Sequence, residues 1–373
     1  MKPIGLAIYN PNNGEVDTGD FDCYIGNQKN EADFRNEAAK ALNNPYILFL
    51  KAGGDIDTDS IEEIAECALE FEPDIVYSNM IVKNGDSSKI ENLTDWESRE
   101  AELIQSLDLS MYVPKWGTAI KKELMLKRPF DPELGPETFY EFVYLHLNSV
   151  SLKLCETSFF EVSEEKKDPT FYALLLKRIR TKYGLRELFG KLNWENEPVA
   201  LATAYTLLGD KLFEKKIYKS GAEYYKKALL SFHNQESLKK LIVSLIYTGE
   251  FSKAKNLCEK KVTDPATKEN LEFHIQKSSQ LVTELEKAAM NGEFENILQA
   301  APQILEYFDG APVQNVLGVS SYHLKDPRNA FDRFYKAAYM NPANNDIIEN
   351  LMDTAAVISK TPEATAMLRR ISE

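Results

Sequence analysis

The sequence predicts an α/β domain with a mainly parallel sheet, followed by an all-helical solenoid. Apolar runs that fit buried strands alternate with amphipathic segments over roughly the first 160 residues, and such alternation favours a parallel sheet covered by helices. A charged stretch, residues 163–169, separates this pattern from a region of helices only. In that region, small and aromatic residues recur with a period near ~34 residues, which is typical of stacked helical hairpins.

This change of pattern divides the chain into three segments. We place the α/β domain over residues 1–165, linker helices over 166–198 and the helical repeats over 199–373. A chain of 373 residues is long enough for two or three domains. The sequence therefore predicts two folded parts of different class, joined by helices.

The composition narrows the classes of protein to consider. The formal net charge of −14 argues against a protein that binds nucleic acid through phosphate contacts. The four cysteines make no CxxC pair, so we expect reduced thiols and no structural zinc. No apolar run approaches ~18 residues, which predicts no membrane span. The apolar run at the start is too short for a signal peptide, and we expect a cytoplasmic location.

The first domain is organised around residues 34–59. A stretch of helix formers ends at Pro45, because proline lacks the N–H that a helix needs. Residues 46–50 are continuously apolar, as expected of a central strand covered on both faces. The pair Gly53-Gly54 follows, at the end of a strand where α/β sheets bind ligands. Residues 60–71 then form an amphipathic helix.

The other elements follow from apolar runs, turn signals and helical periodicity. We predict strands at residues 4–9, 21–25, 74–78 and 116–120, a hairpin turn at 84–86, and helices over 93–109, 137–147 and 170–189. The alternation of strands and helices is what predicts the parallel sheet.

The second half carries residues of one repeat motif in register. Gly209 and Gly318 fall where two helices of a hairpin approach closely, and Tyr225 and Phe334 fall where an aromatic ring fills the gap. We predict units from about 202, 235 and 311, a weaker unit after a short irregular spacer with Gly292 at its turn, and a closing pair over 345–371. This pattern resembles the tetratricopeptide repeat over roughly the last half of the chain.

The resemblance implies a concave face lined by the first helix of each hairpin, which commonly binds a peptide or another protein. Alternatively, the face is solvated and only spaces domains or supports dimerisation. The candidate groove residues are Thr203, Thr206, Asp210, Asn315, Val319 and Tyr322.

Short motifs in the first half occur in an order that resembles family 2 glycosyltransferases of the GT-A type. They are Ile8-Tyr9-Asn10 after the first strand, Phe34-Arg35-Asn36 in the next helix, the strand at 46–50, and the segments 74–78, 117–124 and 130–134. The resemblance implies a nucleotide-sugar-binding α/β domain, with Asn10, Lys51 and Asp55 as candidate nucleotide-sugar contacts.

The sequence departs from that family at its chemical centre. Where the family has a metal-binding Asp-x-Asp, this chain has Lys51-Ala52-Gly53. The residue at the position of the catalytic base is Thr138, which leaves Glu137 as the candidate base. Asp22 is a candidate for the carboxylate that reads the nucleotide base. We predict no metal site and no cofactor, because the usual ligands of Mn²⁺ or Mg²⁺ are missing.

Each candidate also has a purely structural interpretation. Lys51 either replaces the charge of the metal or is a solvated loop lysine. Glu137 is either a base or a residue that complements a helix dipole. Asn10 either contacts a nucleotide or caps a turn.

Two functional hypotheses of different class follow. The chain is either a glycosyltransferase-like protein whose repeats bind a polypeptide acceptor, in bacterial protein or surface glycosylation, or a non-catalytic scaffold or regulator that acts through protein–protein interaction. The second hypothesis includes self-association and pairing with an active glycosyltransferase. A repeat protein whose α/β domain has another purpose stays open as a third interpretation.

Overall fold

The computed structural model describes residues 2–10, 20–28, 30–52, 57–84, 87–93, 113–146, 150–163 and 168–372. They fold into two compact units, Met1–Leu188 and Phe189–Glu373. The first is an α/β unit and the second is all-helical, so the predicted fold class is confirmed.

The first unit contains a seven-stranded mixed sheet. Its strands are β1 (Ile4–Tyr9), β2 (Cys23–Gly26), β3 (Tyr46–Lys51), β4 (Ile75–Asn84), β5 (Ser87–Glu91), β6 (Thr118–Lys121) and β7 (Leu152–Ser163). Their order is β2-β1-β3-β6-β4-β5, and β7 pairs with β4. β1 is parallel to β2 and β3, and β4 is parallel to β7, while β6 is antiparallel to both β3 and β4. Five strands, β1, β2, β3, β4 and β7, therefore point the same way, as a mainly parallel sheet requires.

Helices cover the two faces of this sheet. They are α1 (Glu31–Ala41), α2 (Thr58–Phe71), α3 (Lys122–Lys127), a 3-10 helix (Pro132–Glu137), α4 (Thr138–His146), α5 (Pro169–Lys182) and α6 (Leu185–Leu188). Alternate residues of β1 and β3, such as Leu6 and Leu48, pack with Ile61 and Ile64 of α2. On the other face, Phe49 contacts Phe34 of α1, with ring centroids 6.2 Å apart.

Several elements of the first unit were not predicted from the sequence, namely β5, β7, α3 and the 3-10 helix. Strand β7 was not predicted, because its register with β4 jumps from Ser78–Cys155 to Asn79–Phe159 and the bulge interrupts the alternation of polar and apolar residues. The helix predicted over 137–147 corresponds to α4, which begins one residue later and directly follows the 3-10 helix. Almost all of the helix predicted over 93–109 lies outside the described residues.

The second unit consists of helices. They are α7 (Glu197–Glu214), α8 (Tyr218–Ser231), α9 (Gln235–Tyr247), α10 (Phe251–Lys261), α11 (Pro265–Met290), α12 (Phe294–Gln299), α13 (Ala301–Tyr307), α14 (Ala311–His323), α15 (Pro327–Met340), α16 (Asn345–Val357) and α17 (Thr361–Ser372). A Cβ atom on Gly209 would lie 2.6 Å from the Tyr225 ring, and one on Gly318 would lie 2.5 Å from the Phe334 ring. The small residues of the motif therefore permit the close approach of the two helices, as predicted.

The prediction of a short irregular spacer before the third unit is wrong. This stretch belongs to α11, a continuous helix of 26 residues. Asp264 caps its start by accepting the Thr267 N–H at 2.8 Å, and Pro265 suits the first turn of a helix. Leu271, Ile275 and Val282 are buried along it, so packing stabilises its full length.

Among the residues that the structure describes, no helix combines the length and apolar character needed to cross a membrane.

Candidate functional site

The ends of β1, β2 and β3 meet at the carboxyl edge of the sheet, and this edge contains two predicted site residues. Tyr9 is opposite Lys51 in the register of β1 and β3, and the Ala52 N–H donates to the Tyr9 carbonyl at 2.9 Å. Asn10 donates its backbone N–H to the Gly26 carbonyl at 2.8 Å. The structure thus brings together Asn10, which is buried, and Lys51, which is half-buried. Asp55 lies outside the described residues.

Aromatic rings fill the space beside this edge on the α1 side. Tyr9 and Trp116 stack with ring centroids 5.7 Å apart and planes 10° apart, and Phe34 is 5.3 Å from Tyr9. Trp116 is only 4% exposed, and its indole Nε1 is buried with no hydrogen-bond acceptor in the described part of the chain. The edge is therefore backed by an apolar, ring-lined wall.

Two cations lie behind these rings. Arg35 of α1 is fully buried, donates to the Lys115 carbonyl at 2.8 Å, and holds its guanidinium carbon 4.5 Å from the Phe49 ring and 4.7 Å from the Trp116 ring. Lys115 forms a buried ion pair with Glu31 at 2.9 Å. In the sequence, Arg35 stands out only as part of the Phe34-Arg35-Asn36 motif. The cluster could not be found from the sequence, because Lys115 and Trp116 are some eighty positions further along the chain.

Two acidic residues near the family motif have structural roles. Asp57 caps α2, because it accepts the Asp59 N–H at 3.2 Å and the Ser60 hydroxyl at 2.6 Å. Asp22 accepts the Asn44 side-chain amide at 3.0 Å and precedes β2. It is four residues before Gly26, which is about 13 Å along a strand. The suggestion that Asp22 reads a nucleotide base at the carboxyl edge is therefore wrong.

Glu137 is the last residue of the 3-10 helix and is 5% exposed. Its neighbour Thr138 is fully buried, and Thr138 Oγ1 has no hydrogen-bond partner among the described residues. The 3-10 helix packs against α1, where Asn30 donates its side-chain amide to the Pro132 carbonyl at 2.8 Å. Thr138, which the sequence resemblance aligns with a catalytic base, is thus a buried hydroxyl rather than a carboxylate.

The carboxylates around this helix belong to one ion-pair network. Arg178 of α5 pairs with Asp131, with Glu133 at 2.8 Å and with Glu141 at 3.1 Å. Burial raises the pKa of Glu141 above its usual range, even though Arg178 opposes the shift. Burial would also raise the pKa of Asp131, but the hydrogen bonds from Arg178 and from the Glu133 N–H, together with the charge of Arg178, outweigh burial and lower it. This network attaches α5 to the first unit.

Within the described residues, no three His, Cys, Asp or Glu side chains are grouped so that they could hold a metal ion.

In the second unit, three predicted groove residues connect first helices of successive hairpins. Thr206 Oγ1 is 2.7 Å from Ser237 Oγ of α9. Asp210 accepts the Tyr225 hydroxyl and the Lys240 ammonium, both at 2.8 Å. Asn315 accepts the Asn350 side-chain amide at 3.0 Å. These side chains hold neighbouring hairpins in register, whatever else they bind.

The other predicted groove residues differ in their surroundings. Thr203 is exposed and donates to the Val199 carbonyl at 2.9 Å. Val319 packs against the cluster of apolar residues formed by α14 to α17. Tyr322 is exposed, with 42% of its surface accessible.

A groove of about 730 Å³ separates α10 from the first half of α11. It has an apolar strip formed by Phe251 and Ile275, and hydrogen-bonding and charged groups beside that strip. These are Ser252, Lys255, Glu259, Glu272, Gln276, Ser279 and Gln280.

A second cavity, of about 260 Å³, adjoins this groove and shares Phe251 and Ser279 with it. Its wall includes Asn315 from the predicted groove set, together with Thr283, Glu286, Asn344 and Asp346. We name the two together the α10–α11 groove. Thr203, Thr206, Asp210, Val319 and Tyr322 do not line either part of it.

Comparison with known proteins gives similarities of structure only. No protein-family model and no curated protein matches the sequence. The S. aureus TarS fragment 1-349 in complex with UDP has a TM-score of 0.36 and 12% identity, covering 59% of this chain and 74% of the fragment. The same fragment in complex with UDP-GlcNAc has a TM-score of 0.35 and 13% identity, covering 73% of this chain and 76% of the fragment.

A second kind of neighbour is MamA 41-end from Desulfovibrio magneticus RS-1. It has a TM-score of 0.19 and 14% identity, covering 46% of this chain and 92% of that fragment. TarS has a GT-A-like fold and MamA has tetratricopeptide repeats, the two fold types that the sequence resembles. The elements of this chain itself, a mainly parallel α/β unit followed by an all-helical unit, have the fold classes that the sequence predicts.

Proposed function

We propose that this chain is a polypeptide-binding protein and that its glycosyltransferase-like unit does not carry out metal-assisted sugar transfer. The observation that carries the proposal is the α10–α11 groove, which combines an apolar strip with amide and hydroxyl side chains. This combination suits an extended polypeptide better than a small ligand, because the groove is open to solvent along its length.

The chemistry of the groove fits a polypeptide backbone. An extended chain presents N–H and C=O groups at every residue, and an amide side chain can both donate to and accept from them. Gln276 and Gln280 are four residues apart on α11 and therefore lie on one face, beside Ser279. Lys255 opposes Glu259 at 3.9 Å, and Glu272, Glu286 and Asp346 add further negative charge, so the balance favours a polypeptide with basic side chains.

The carboxyl edge of the first unit supports the second half of the proposal. A cation, Lys51, stands where the family has a metal-binding carboxylate. Asp57, the nearest described acidic residue along the chain, is engaged in capping α2. Thr138 offers no base. On this proposal the unit scaffolds or regulates a partner, which includes an active glycosyltransferase or a second copy of the chain.

A displayed random-peptide library tests polypeptide binding directly. We expect the full chain to enrich peptides that share basic and apolar positions, and we expect the Gln276→Ala/Gln280→Ala variant to bind the most enriched peptide at least tenfold more weakly. Binding is measured by calorimetric titration. Both glutamines are exposed, so the substitutions leave the core intact.

Gln299→Ala/Gln303→Ala is the matched control, because it removes two exposed amides from helices that do not line the groove. Equal loss of affinity in both double variants, or no enrichment by the full chain, would contradict the proposal. A loss confined to Thr203→Ala would instead favour the α7 face that the repeat resemblance implies.

The adjacency of Asn10 and Lys51 favours a second candidate function, metal-independent binding of a nucleotide sugar. Here the ammonium of Lys51 would replace the charge of the metal beside the diphosphate. A polypeptide in the groove would then be the acceptor, as in bacterial protein or surface glycosylation. Calorimetry with nucleoside diphosphates and their sugars, with and without Mn²⁺, tests this candidate. Binding that needs no metal and is lost in Lys51→Ala would establish it. Mn²⁺-dependent binding would refute this candidate and would count against the proposal that the first unit carries out no metal-assisted sugar transfer.

A further inference from the structure

One face of α2 runs along the bulged part of β7, with contacts at successive positions. The Phe159 N–H donates to Ser60 Oγ at 3.3 Å. Ser158 Oγ lies 3.1 Å from the Ser60 carbonyl oxygen and 3.0 Å from Glu63 Oε2. Residues three and four apart share a helix face, so Cys67 follows Ser60 and Glu63 on the face that β7 contacts. Helix and strand pass in opposite directions, and Cys67 therefore meets Cys155.

The two thiols are neighbours inside an apolar cluster. Cys67 and Cys155 belong to one group of buried residues with Ile64 and Phe160. Their exposed fractions are 8% and 7%. Neither residue forms a disulfide in this structure.

The surroundings shift the pKa values of the two thiols in opposite directions. The Cys67 thiol lowers the pKa of Cys155 by hydrogen bonding to it, and the hydroxyl of Ser158, 3.1 Å from Cys155 Sγ, acts in the same direction. The pKa of Cys67 is raised, by the same thiol–thiol hydrogen bond and by burial. Cys155 is therefore the sulfur that ionises and attacks first.

We propose that Cys67 and Cys155 are an oxidisable dithiol that forms a reversible disulfide between α2 and β7. The oxidant is a low-molecular-weight disulfide of the glutathione class. Residues 156–158 lie outside the ladder that joins β4 to β7, so a shift of this segment to close the bond breaks none of the ladder's pairings. Disulfide formation needs such freedom, since its geometry is specific.

The reaction is two successive thiol–disulfide exchanges. The Cys155 thiolate attacks one sulfur of the oxidant, forms a mixed disulfide and releases one glutathione thiolate, which takes up the proton that Cys155 lost. Cys67 then loses its proton and attacks the Cys155 sulfur, which releases the second glutathione. Two protein thiols become one disulfide, and one oxidised glutathione becomes two reduced ones.

The disulfide would join residues 88 positions apart (155 − 67) and would fasten the helix that begins next to the carboxyl edge of the sheet. A cross-link of this length restricts the unfolded chain. We therefore expect the oxidised protein to melt several degrees above the reduced protein. Addition of dithiothreitol should restore the lower melting temperature.

The test treats the full chain with oxidised glutathione and digests it without reduction. We expect mass spectrometry to find a peptide pair joined through Cys67 and Cys155. Cys23 is exposed and should acquire glutathione under the same conditions. Its modification therefore serves as the control that the reagent has reacted.

Single variants separate a paired site from two independent thiols. Cys67→Ser should leave a stable glutathione adduct on Cys155, because no second thiol resolves it. Cys155→Ser should leave Cys67 unmodified while Cys23 still reacts. The proposal is overturned if Cys23 is fully modified while Cys67 and Cys155 stay reduced, or if each acquires its own glutathione in the unsubstituted chain.

Discussion

Single glycines set the spacing of the clearest hairpins in the second unit. Gly318 faces the Phe334 ring, and Gly209 faces the Tyr225 ring, and both rings are buried. Neither ring can withdraw from an added side chain, because each is enclosed by core residues. The repeat spacing therefore depends on two positions where hydrogen is the largest group that fits.

We predict that Gly318→Val lowers the free energy of unfolding by about 2 kcal/mol, since overpacking a core typically costs this much. Urea denaturation monitored by circular dichroism measures the change. Gly184→Val is the control, because a Cβ there would have its nearest neighbour, Glu187 Oε2, at 3.5 Å. Its expected change is below about 0.5 kcal/mol. Similar losses in both variants would contradict this account of the hairpin.

At the residue scale, the sequence predicts where a side chain lies in the fold better than it predicts which residues surround that side chain. Asn10 and Lys51 could be placed together because parallel strands end at one edge of a sheet. The enclosure of Arg35 by Phe49 and Trp116 could not be predicted, because it depends on contacts between distant parts of the chain. The capping role of Asp57 was not predicted either, although Asp57 directly precedes α2 and accepts the Ser60 hydroxyl.

At the scale of elements, Glu250 connects two helices of the second unit. It precedes α10, pairs with Lys219 of α8 at 2.7 Å, and also pairs with Lys253. Burial would raise the pKa of Glu250, but the hydrogen bonds from Lys219 and Lys253 outweigh burial and lower it. A carboxylate with a lowered pKa contributes stability above the pKa of the unfolded chain, and this stability is lost as the pH falls through the folded value.

We therefore predict that Glu250→Gln is less stable than the unsubstituted chain by about 1 kcal/mol at pH 7, a modest value because solvent screens the pair. The difference should be smaller at pH 3, because this stability is lost as the pH falls through the lowered pKa of Glu250. Urea denaturation at the two pH values measures it. An equal difference at both would show that packing, not charge, explains the effect.

The ion-pair network of Arg178 leads to a similar stability prediction for the first unit. Arg178→Ala removes the cation from Asp131, Glu133 and Glu141, and Glu141 is only 9% exposed. We expect a loss of about 2 kcal/mol at pH 7, because a largely buried carboxylate is left without its partner. Lys177→Ala, one residue away, should change stability by less than about 0.5 kcal/mol. Thermal unfolding followed by tryptophan fluorescence compares the two, and equal shifts would count against the network.

Element prediction succeeded where the local pattern was regular. Strands β1 and β3 are continuous apolar runs and were predicted correctly. Strand β7 was missed because its bulge breaks the alternation of polar and apolar residues. The full length of α11 was missed because its buried apolar residues are widely spaced among polar ones. Both errors occur where tertiary packing, rather than local sequence, stabilises the element.

At the scale of the whole molecule, each unit has its own core. The apolar cluster around Leu48 contains residues of the first unit only, and the clusters around Leu241 and Phe334 contain residues of the second unit only. The predicted boundaries at 165 and 198 remain predictions, although α5 packs against α4 and the 3-10 helix.

We predict that residues 189–373 fold without the first unit. The isolated fragment should be helical by circular dichroism and should unfold cooperatively, because its apolar clusters are complete. A non-cooperative melt would show that the second unit depends on the first.

Hydrogen–deuterium exchange of the full chain, with and without the most enriched displayed peptide, tests the central claim most directly. Polypeptide binding in the α10–α11 groove predicts slower amide exchange at residues 251–259 and 272–280. Slowing confined to residues 203–210, or to the first unit, would contradict the claim.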